Sequence, residues 1–388
     1  MGTPKPTLFE RYPRTTLTIL LATVSVVLLF VAEWIAKGLT TNPPIYDTEG
    51  ERIRLRAGTP NVDLLLELEG KTYRYRTDAD GFVRPSRVHA NPDHTLAFLG
   101  GSTTECVHNS EDKRFPYLVG RLIEAETGSR INTLNRGGSG NHSLHSLNIL
   151  INKILPLDPD TVVLMHNIND LSILVLEGTY WNQHPTQGLL LQEPLDIPTS
   201  LGRLFRAIRN DLFPNLYFRL HQFYQAIEST DEFASHRRQH ITYDEERIVR
   251  HFRTSLELFI STCRATDITP VLMTQANRFR TPDDPQIDQW LEDIEVSFGL
   301  KRGPYIALYQ RLNETIRSAA ADHGVLLVDL DRAIESTPEM LRGPIHFTDL
   351  GSEAAAHAIA PRLMAGLGLE SAASTEVPGT NPLKSTTQ

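Results

Sequence analysis

Ser102 stands in the run Leu96-Ala97-Phe98-Leu99-Gly100-Gly101-Ser102-Thr103-Thr104-Glu105. The apolar part has the length of a buried strand and breaks at two glycines, and a helical pattern begins a few residues later. The hydroxyl is therefore expected on a tight turn at the carboxyl end of a parallel strand, where open α/β sheets bind ligands. The glycines beside it let a substrate approach the backbone closely. A serine so placed suits a nucleophile. Acyl transfer through serine also needs a general base and hydrogen-bond donors for the oxyanion.

Both can be sought in the rest of the chain. Asn135-Arg136-Gly137-Gly138-Ser139-Gly140-Asn141 follows a second strand pattern, and a glycine-rich turn there exposes backbone N–H groups. Met165-His166-Asn167-Ile168-Asn169-Asp170 follows a third, and Asn169 is placed to offer its side-chain amide. Either turn alone is equally read as turn chemistry, because Gly, Asn and Asp favour turns. Three consecutive strands that all end in small polar turns are harder to ascribe to that. His346, in Gly343-Pro344-Ile345-His346-Phe347-Thr348-Asp349, lies after a fifth strand pattern and before a helix of about Ser352 to Leu363. It is the histidine, of fourteen, set in a loop at the expected edge of the sheet. His142 and His145 have i, i+3 spacing but lack a third ligand, so no metal is expected.

In order and spacing these blocks resemble the SGNH/GDSL hydrolase superfamily, and in particular its membrane-anchored bacterial members with a strand-rich N-terminal lead-in. Leu99-Gly100-Gly101-Ser102 resembles the nucleophile block, with Gly101 where the family name has Asp. Asn135 to Gly140 resembles the second block and Asn167-Ile168-Asn169-Asp170 the third. The resemblance implies a flavodoxin-like three-layer α/β sandwich with a five-stranded parallel sheet. It implies serine-dependent ester hydrolysis or acyl transfer without a cofactor. Ser102 would be the nucleophile and His346 the general base, with Gly140 and Asn169 donating to the oxyanion beside the Ser102 N–H. The family usually carries Asp three residues before the histidine, and here that residue is Gly343. Three arrangements are open: a backbone carbonyl orients the imidazole, an acid from elsewhere (Asp349 or Glu339) does so, or the site is not catalytic.

The elements that must position these residues alternate. Strand patterns occupy Thr95–Leu99, Arg130–Leu134, Thr161–His166, Thr269–Thr274 and Val325–Val328. Helical patterns occupy Pro116–Glu126, Leu144–Ile154, Glu245–Ala265 and Ile306–Ala321. Such alternation predicts a parallel sheet with helices on both faces. The expected organisation is a cytoplasmic N-terminus over 1–14, a transmembrane anchor over 15–36, and a linker with a β-rich lead-in over 37–93. A hydrolase-like domain over 94–366 follows, interrupted by a helical insertion at about 171–243, with a disordered tail over 367–388. Asn42-Pro43-Pro44 reads as extended linker, and Val62–Leu68 and Lys71–Arg76 as a two-stranded hairpin in the lead-in. Amphipathic stretches at Leu201–Arg209 and Leu216–Ile227 mark the insertion as either packing on the core or a platform beside the site.

Leu17 to Val31 is apolar apart from Thr18, Thr23 and Ser25, and with its flanks it reaches the roughly 20 residues needed to cross a bilayer. Lys5, Arg11 and Arg14 precede it and Trp34 follows, which predicts a cytoplasmic N-terminus and a domain outside the cytoplasm, periplasmic where an outer membrane exists. A cleaved signal peptide is the rival reading, although no small-x-small site precedes Lys37. The net charge of −9, without a basic cluster, argues against nucleic acid as a partner. Cys106 and Cys263 lack zinc spacing and read as core thiols or a single bridge. Two functions follow. One is an esterase or O-acyltransferase acting on acyl esters outside the cytoplasm, with O-acylated envelope or secreted polysaccharide as substrate. The other is a non-catalytic glycan-binding or assembly protein that uses a degenerate site.

Overall fold

A computed structural model describes residues 12–39, 58–68, 70–180, 212–213, 215–216, 220, 242–281 and 283–369. The Asn42-Pro43-Pro44 linker, the insertion helix at Leu201–Arg209, most of that at Leu216–Ile227 and the tail from Glu370 lie outside the described residues. The chain divides into two compact units. In the first, helix α1 (Pro13–Leu39) is long and apolar enough to cross a membrane. The hydroxyls of Thr16, Thr18, Thr23 and Ser25 each donate to a carbonyl four residues back, at 2.9 Å, so they enter an apolar helix with their polar groups satisfied. Near its end, the Glu33 carboxylate accepts from the backbone N–H of Asn215 and of Leu216, at 3.1 and 2.7 Å. Phe30 packs on Phe213 with ring centroids 5.2 Å apart.

The second unit runs β1 (Asp63–Leu68), β2 (Lys71–Arg76), β3 (His94–Gly100), α2 (Ser102–Glu105), α3 (Phe115–Thr127), β4 (Ile131–Gly137), α4 (Ser143–Ile149), β5 (Thr161–Met165) and α5 (Ile168–Glu177). It continues with α6 (Glu245–Arg264), β6 (Thr269–Met273), α7 (Pro285–Phe298), α8 (Arg302–His323), β7 (Leu326–Val328), α9 (Leu330–Ala333), β8 (Leu341–Arg342), β9 (His346–Phe347) and α10 (Asp349–Leu367). Five strands form one parallel sheet in the order β4-β3-β5-β6-β7. This is the doubly wound order in which the connections reverse between β3 and β5, and Ser102 follows β3 directly at that switch point. The strands β3, β5, β6 and β7 carry apolar runs because both faces are covered, whereas the edge strand β4 is mixed, with Asn132, Thr133, Asn135 and Arg136. Leu96, Phe98, Val163, Met165, Val271 and Met273 face the layer of α3 and α10. The alternate residues Ala97, Leu99, Val162, Leu164 and Leu272 are buried on the opposite face. Helix α6 contributes Ile248, Phe252, Leu256, Phe259 and Cys263, at helical spacing.

Several elements differ from expectation. Strand β4 runs three residues further, through Asn135-Arg136-Gly137, because these pair in register with Phe98, Leu99 and Gly100 of β3. Pairing with a central strand overrides their turn-forming character. Helix α5 continues to Glu177 with Leu171, Leu174 and Val175 buried, so the fold's own helix occupies the first part of the segment assigned to the insertion. Helix α7 was not anticipated; its cap is the Asp284 side chain, which accepts from Gln286 N and Ile287 N. Both cysteines are free and buried, and burial pushes each thiol up to about 12.

The hairpin β1–β2 is stitched to the sheet domain through Arg114. This side chain is almost fully buried and donates to the carbonyl oxygens of Arg74 at 2.8 Å, Cys106 at 3.3 Å and Arg84. Val83 N donates to Asn135 O at 2.9 Å and so covers the outer edge of β4. Replacing Arg114 with Met keeps the aliphatic packing but strands three carbonyls, that of Cys106 fully buried and those of Arg74 and Arg84 partly so. The expected loss of folding stability is about 3 kcal/mol or more, read from the denaturant midpoint; a loss below about 1 kcal/mol would show that Arg114 does not hold the lead-in.

Candidate active site

Four loops meet at the carboxyl edge of the sheet. Ser102 opens α2, and its Oγ lies 2.8 Å from His346 Nε2. For Nε2 to accept the hydroxyl proton, the imidazole proton must sit on Nδ1. His346 is carried by the short antiparallel hairpin β8–β9, in which it pairs with Arg342. That hairpin is fixed from several sides. Phe347 packs edge-to-face on Phe115, which packs the same way on Phe98 of β3, at centroid distances of 5.8 and 5.9 Å. Asn109 Nδ2 donates to Phe347 O at 3.2 Å. Thr103, next to the nucleophile, accepts from Gln275 Nε2 at 3.0 Å and approaches Ile345 O at 3.5 Å.

Asn169 stands in the first turn of α5, which follows β5, and its side-chain nitrogen donates to Asn141 O at 2.7 Å. A Cβ placed on Gly101 would lie 2.5 Å from that nitrogen, so the Asn169 amide sits directly against the residue before the nucleophile. The same crowding explains Gly137, where a Cβ would come within 2.3 Å of Glu105 N. Gly140 adopts φ +74° in the turn Gly138–Asn141, which is closed by Asn141 N donating to Gly138 O at 3.0 Å. Neither Ser102 N–H nor Gly140 N–H donates to any described residue, and both remain available to a ligand. Candidate nucleophile, candidate base and candidate donors are thereby gathered at one edge, as acyl transfer requires.

The sequence reading missed the residues that hold this arrangement. Glu105 Oε2 accepts from Ser139 N and Oγ at 2.7 and 2.6 Å, and Oε1 accepts from Tyr75 OH at 2.9 Å, so one carboxylate ties the Gly140 turn to α2 and to the lead-in. Gln275, at the end of β6, accepts from Ile168 N at 3.0 Å and binds Tyr309 and Asn313 of α8. Behind the site, Asp170 Oδ1 accepts from Ser143 N at 3.0 Å, Ser143 Oγ at 2.5 Å and Tyr180 OH. Burial pushes the Asp170 carboxyl up to about 6, against these hydrogen bonds. His166 Nδ1 lies 3.4 Å from Asp170 Oδ2, and its Nε2 lies 2.7 Å from Ser146 Oγ. Burial drives the His166 imidazole down to about 3, so it stays neutral. This second serine–histidine–aspartate row is sealed in the core. It pins α4 to the Asn169 turn and offers no path for a substrate.

Neither candidate orienting acid reaches the base. The Asp349 carboxylate accepts from Ser110 N and Oγ at 2.9 and 2.8 Å, Asn109 Nδ2 at 3.3 Å and Lys71 Nζ at 2.8 Å. It starts α10 and clips the 109–110 loop to it, with none of its bonds on His346. Glu339 is exposed and accepts only through its backbone carbonyl, from Thr348 Oγ1, among the described residues. His346 Nδ1 makes no hydrogen bond to any described residue, a backbone carbonyl included, and it is not sealed from solvent. His142 and His145 stack at 3.7 Å, and no group of three metal-ligating side chains occurs among the described residues.

The model of the GDSL-like Lipase/Acylhydrolase family matches residues 98–354. Among solved structures, the chain is similar to an alpha/beta hydrolase enzyme from the metagenome of Lake Arreo, Spain. The identity is 17%, over 72% of this chain and 96% of that one, with a TM-score of 0.40. It is similar to an acetylxylan esterase from Geobacillus stearothermophilus at 14% identity, over 72% and 96% of the two chains, with a TM-score of 0.40. It is also similar to a lipase/acylhydrolase from Enterococcus faecalis at 18% identity, over 71% and 96%, with a TM-score of 0.39. No curated protein matches.

Burial, and then the charges of His108 and Arg342, lower the His346 imidazole to about 4. A lowered value keeps the ring neutral, and able to accept a proton, from weakly acidic pH upward. Nitrogen-15 NMR of the histidine side chains should place its titration near pH 4; a midpoint at the ordinary value of about 6.5 would contradict the cationic, enclosed setting.

Proposed function

This chain belongs to the GDSL-like Lipase/Acylhydrolase family and is a serine ester hydrolase, and from that premise we propose that Ser102 and His346 carry its chemistry. The carrying observation is the 2.8 Å contact between Ser102 Oγ and a neutral His346 Nε2, beside the Asn169 amide. Ser102 Oγ attacks the acyl carbonyl as its proton passes to Nε2. The oxyanion so formed takes hydrogen bonds from Ser102 N–H, Gly140 N–H and the Asn169 side chain. The tetrahedral intermediate collapses, Nε2 returns the proton to the leaving alkoxide, and the acyl group stays on Ser102. Water then repeats the cycle in reverse roles and releases the acid. A sugar hydroxyl in place of water makes the same site a transferase.

The finer reading concerns place and substrate. Helix α1, with Arg11 before it and Arg14 in its first turn, supports a single-pass anchor with the N-terminus in the cytoplasm and the hydrolase domain outside, in the periplasm of a host that has one. O-acylated glycan of the envelope or secreted polysaccharide is the substrate we assign to that location. On this reading the domain's partners are the membrane, through α1, and the acyl ester.

Ser102→Ala should abolish labelling by a fluorophosphonate probe and hydrolysis of p-nitrophenyl acetate; persistent labelling would remove Ser102 from the mechanism. Asn169→Ala should lower kcat by about 10²–10³-fold, with KM little changed. The kcat/KM profile of the wild type should be flat from neutral pH down to pH 6 and fall below pH 5, because His346 loses activity only when protonated near its lowered value of about 4. An alkaline phosphatase fusion at the C-terminus that stays inactive in cells would overturn the outward topology.

A further inference from the structure

The base in this site lacks what a proton-accepting imidazole ordinarily has, a carboxylate on its other nitrogen. Gly343 stands where the sequence pattern calls for that acid. It adopts φ +56°, and a Cβ there would meet nothing within 4 Å, so the place is open as well as empty of side chain. Arg342 lies directly across the hairpin from His346, and directly opposed residues of an antiparallel pair present their side chains on one face. The Arg342 guanidinium is held there by donating to Tyr73 OH at 2.9 Å and His108 O at 3.2 Å, and it stacks on the Tyr73 ring at 5.6 Å. The His108 ring rests edge-on against the same tyrosine, at 6.1 Å. Lys71 also lies over that ring, at 4.7 Å, although its charge is matched by Asp349.

His346 must become a cation in each transition state, and the Arg342 guanidinium across the hairpin is a charge of the same sign. The nearest candidate acid is committed elsewhere. A carboxylate brought into the open place would accept a hydrogen bond from Nδ1–H and stabilise the imidazolium as it forms. We propose that the substrate supplies this carboxylate: the site takes esters bearing a carboxylate beside the scissile bond, bound between His346 Nδ1 and Arg342 at Gly343. This rests on the esterase reading above. The carboxylate resides either on the sugar, as in a uronate, or on the acyl group, as in a half-ester of a diacid.

The test measures Ser102-dependent hydrolysis of p-nitrophenyl acetate with sodium formate against sodium chloride at equal ionic strength. Loss of an orienting acid costs serine hydrolases up to about 10⁴ in kcat, so even weakly held formate should raise the rate saturably by about threefold or more. Two ester pairs locate the source: O-acetyl glucuronate against O-acetyl glucose, and p-nitrophenyl hemisuccinate against p-nitrophenyl butyrate. Preference for the first member of the sugar pair puts the carboxylate on the sugar, and for that of the acyl pair on the acyl group. Gly343→Asp, which brings a carboxylate in cis, should lose the formate response, whereas Gly343→Ala, whose methyl meets nothing within 4 Å and leaves the place open, should keep it. No formate response, a response without preference in either pair, or equal responses in the two variants overturns the proposal. Absence of any Ser102-dependent turnover overturns the esterase reading and this one together, whereas turnover indifferent to carboxylates overturns this one alone.

Discussion

The hydrogen bond between Ser102 Oγ and His346 Nε2 joins residues 244 positions apart, and the second unit is built to keep it at 2.8 Å. The two ends reach it by different means. Ser102 is placed by the sheet, because β3 is central, paired on both sides, and its last residue fixes where α2 begins. His346 has no such support. Its hairpin has two residues in each strand, far too little to stand alone, and depends on neighbours. The edge-to-face series Phe98–Phe115–Phe347 carries the position of β3 directly to the residue beside the base. Asn109, Thr103 and the Asp349 clip set the remaining freedom.

A pattern runs through the acids around the site. Glu105, Asp170 and Asp349 are each spent on backbone N–H and hydroxyl groups of the loops, and none bonds to the imidazole. Carboxylates with several oxygen acceptors suit this task, because one side chain can order two segments at once. Asp170 shows the cost: it is fully buried and pushed up to about 6, yet it stays because removing it would strand Ser143 and Tyr180 together. The base is accordingly tuned by burial and by Arg342 and His108 rather than by a paired acid. Its neutral form is secured over a wide pH range, and its protonated form is left to be stabilised by whatever binds.

The alternation of strand and helix patterns carried the parallel sheet, because strands covered on both faces, such as β3 and β5, need apolar runs, and these are visible in one sequence. Ser102, Asn169 and His346 were legible for a related reason: each sits where an apolar run stops. What stayed hidden depends on partners far along the chain. Nothing local distinguishes Glu105 from a solvent-facing helix residue until Ser139 and Tyr75 are brought to it. The last three residues of β4 read as turn because Asn and Gly favour turns, and only pairing with β3 makes them strand. Leu171, Leu174 and Val175 were assigned to an insertion because the chain's rhythm breaks after them, whereas their helical spacing buries them under the sheet domain.

Two glycines replace acids expected from the resemblance, and physics separates them. At Gly101 a side chain is crowded: a Cβ would lie 2.5 Å from Asn169 Nδ2 and 3.3 Å from Asn141 O, so the Asn169 amide would have to shift to admit it. At Gly343 nothing crowds the backbone, and the surroundings would accept a side chain. The positive φ there disfavours most residues but is open to Asp and Asn at modest cost. Contact with neighbours therefore bears on the first glycine, whereas at the second only the positive φ favours glycine. What remains at the second is the electrostatic setting, an imidazole with a free Nδ1 beside a fixed guanidinium, which is the environment a ligand carboxylate would need and a resident carboxylate would fill.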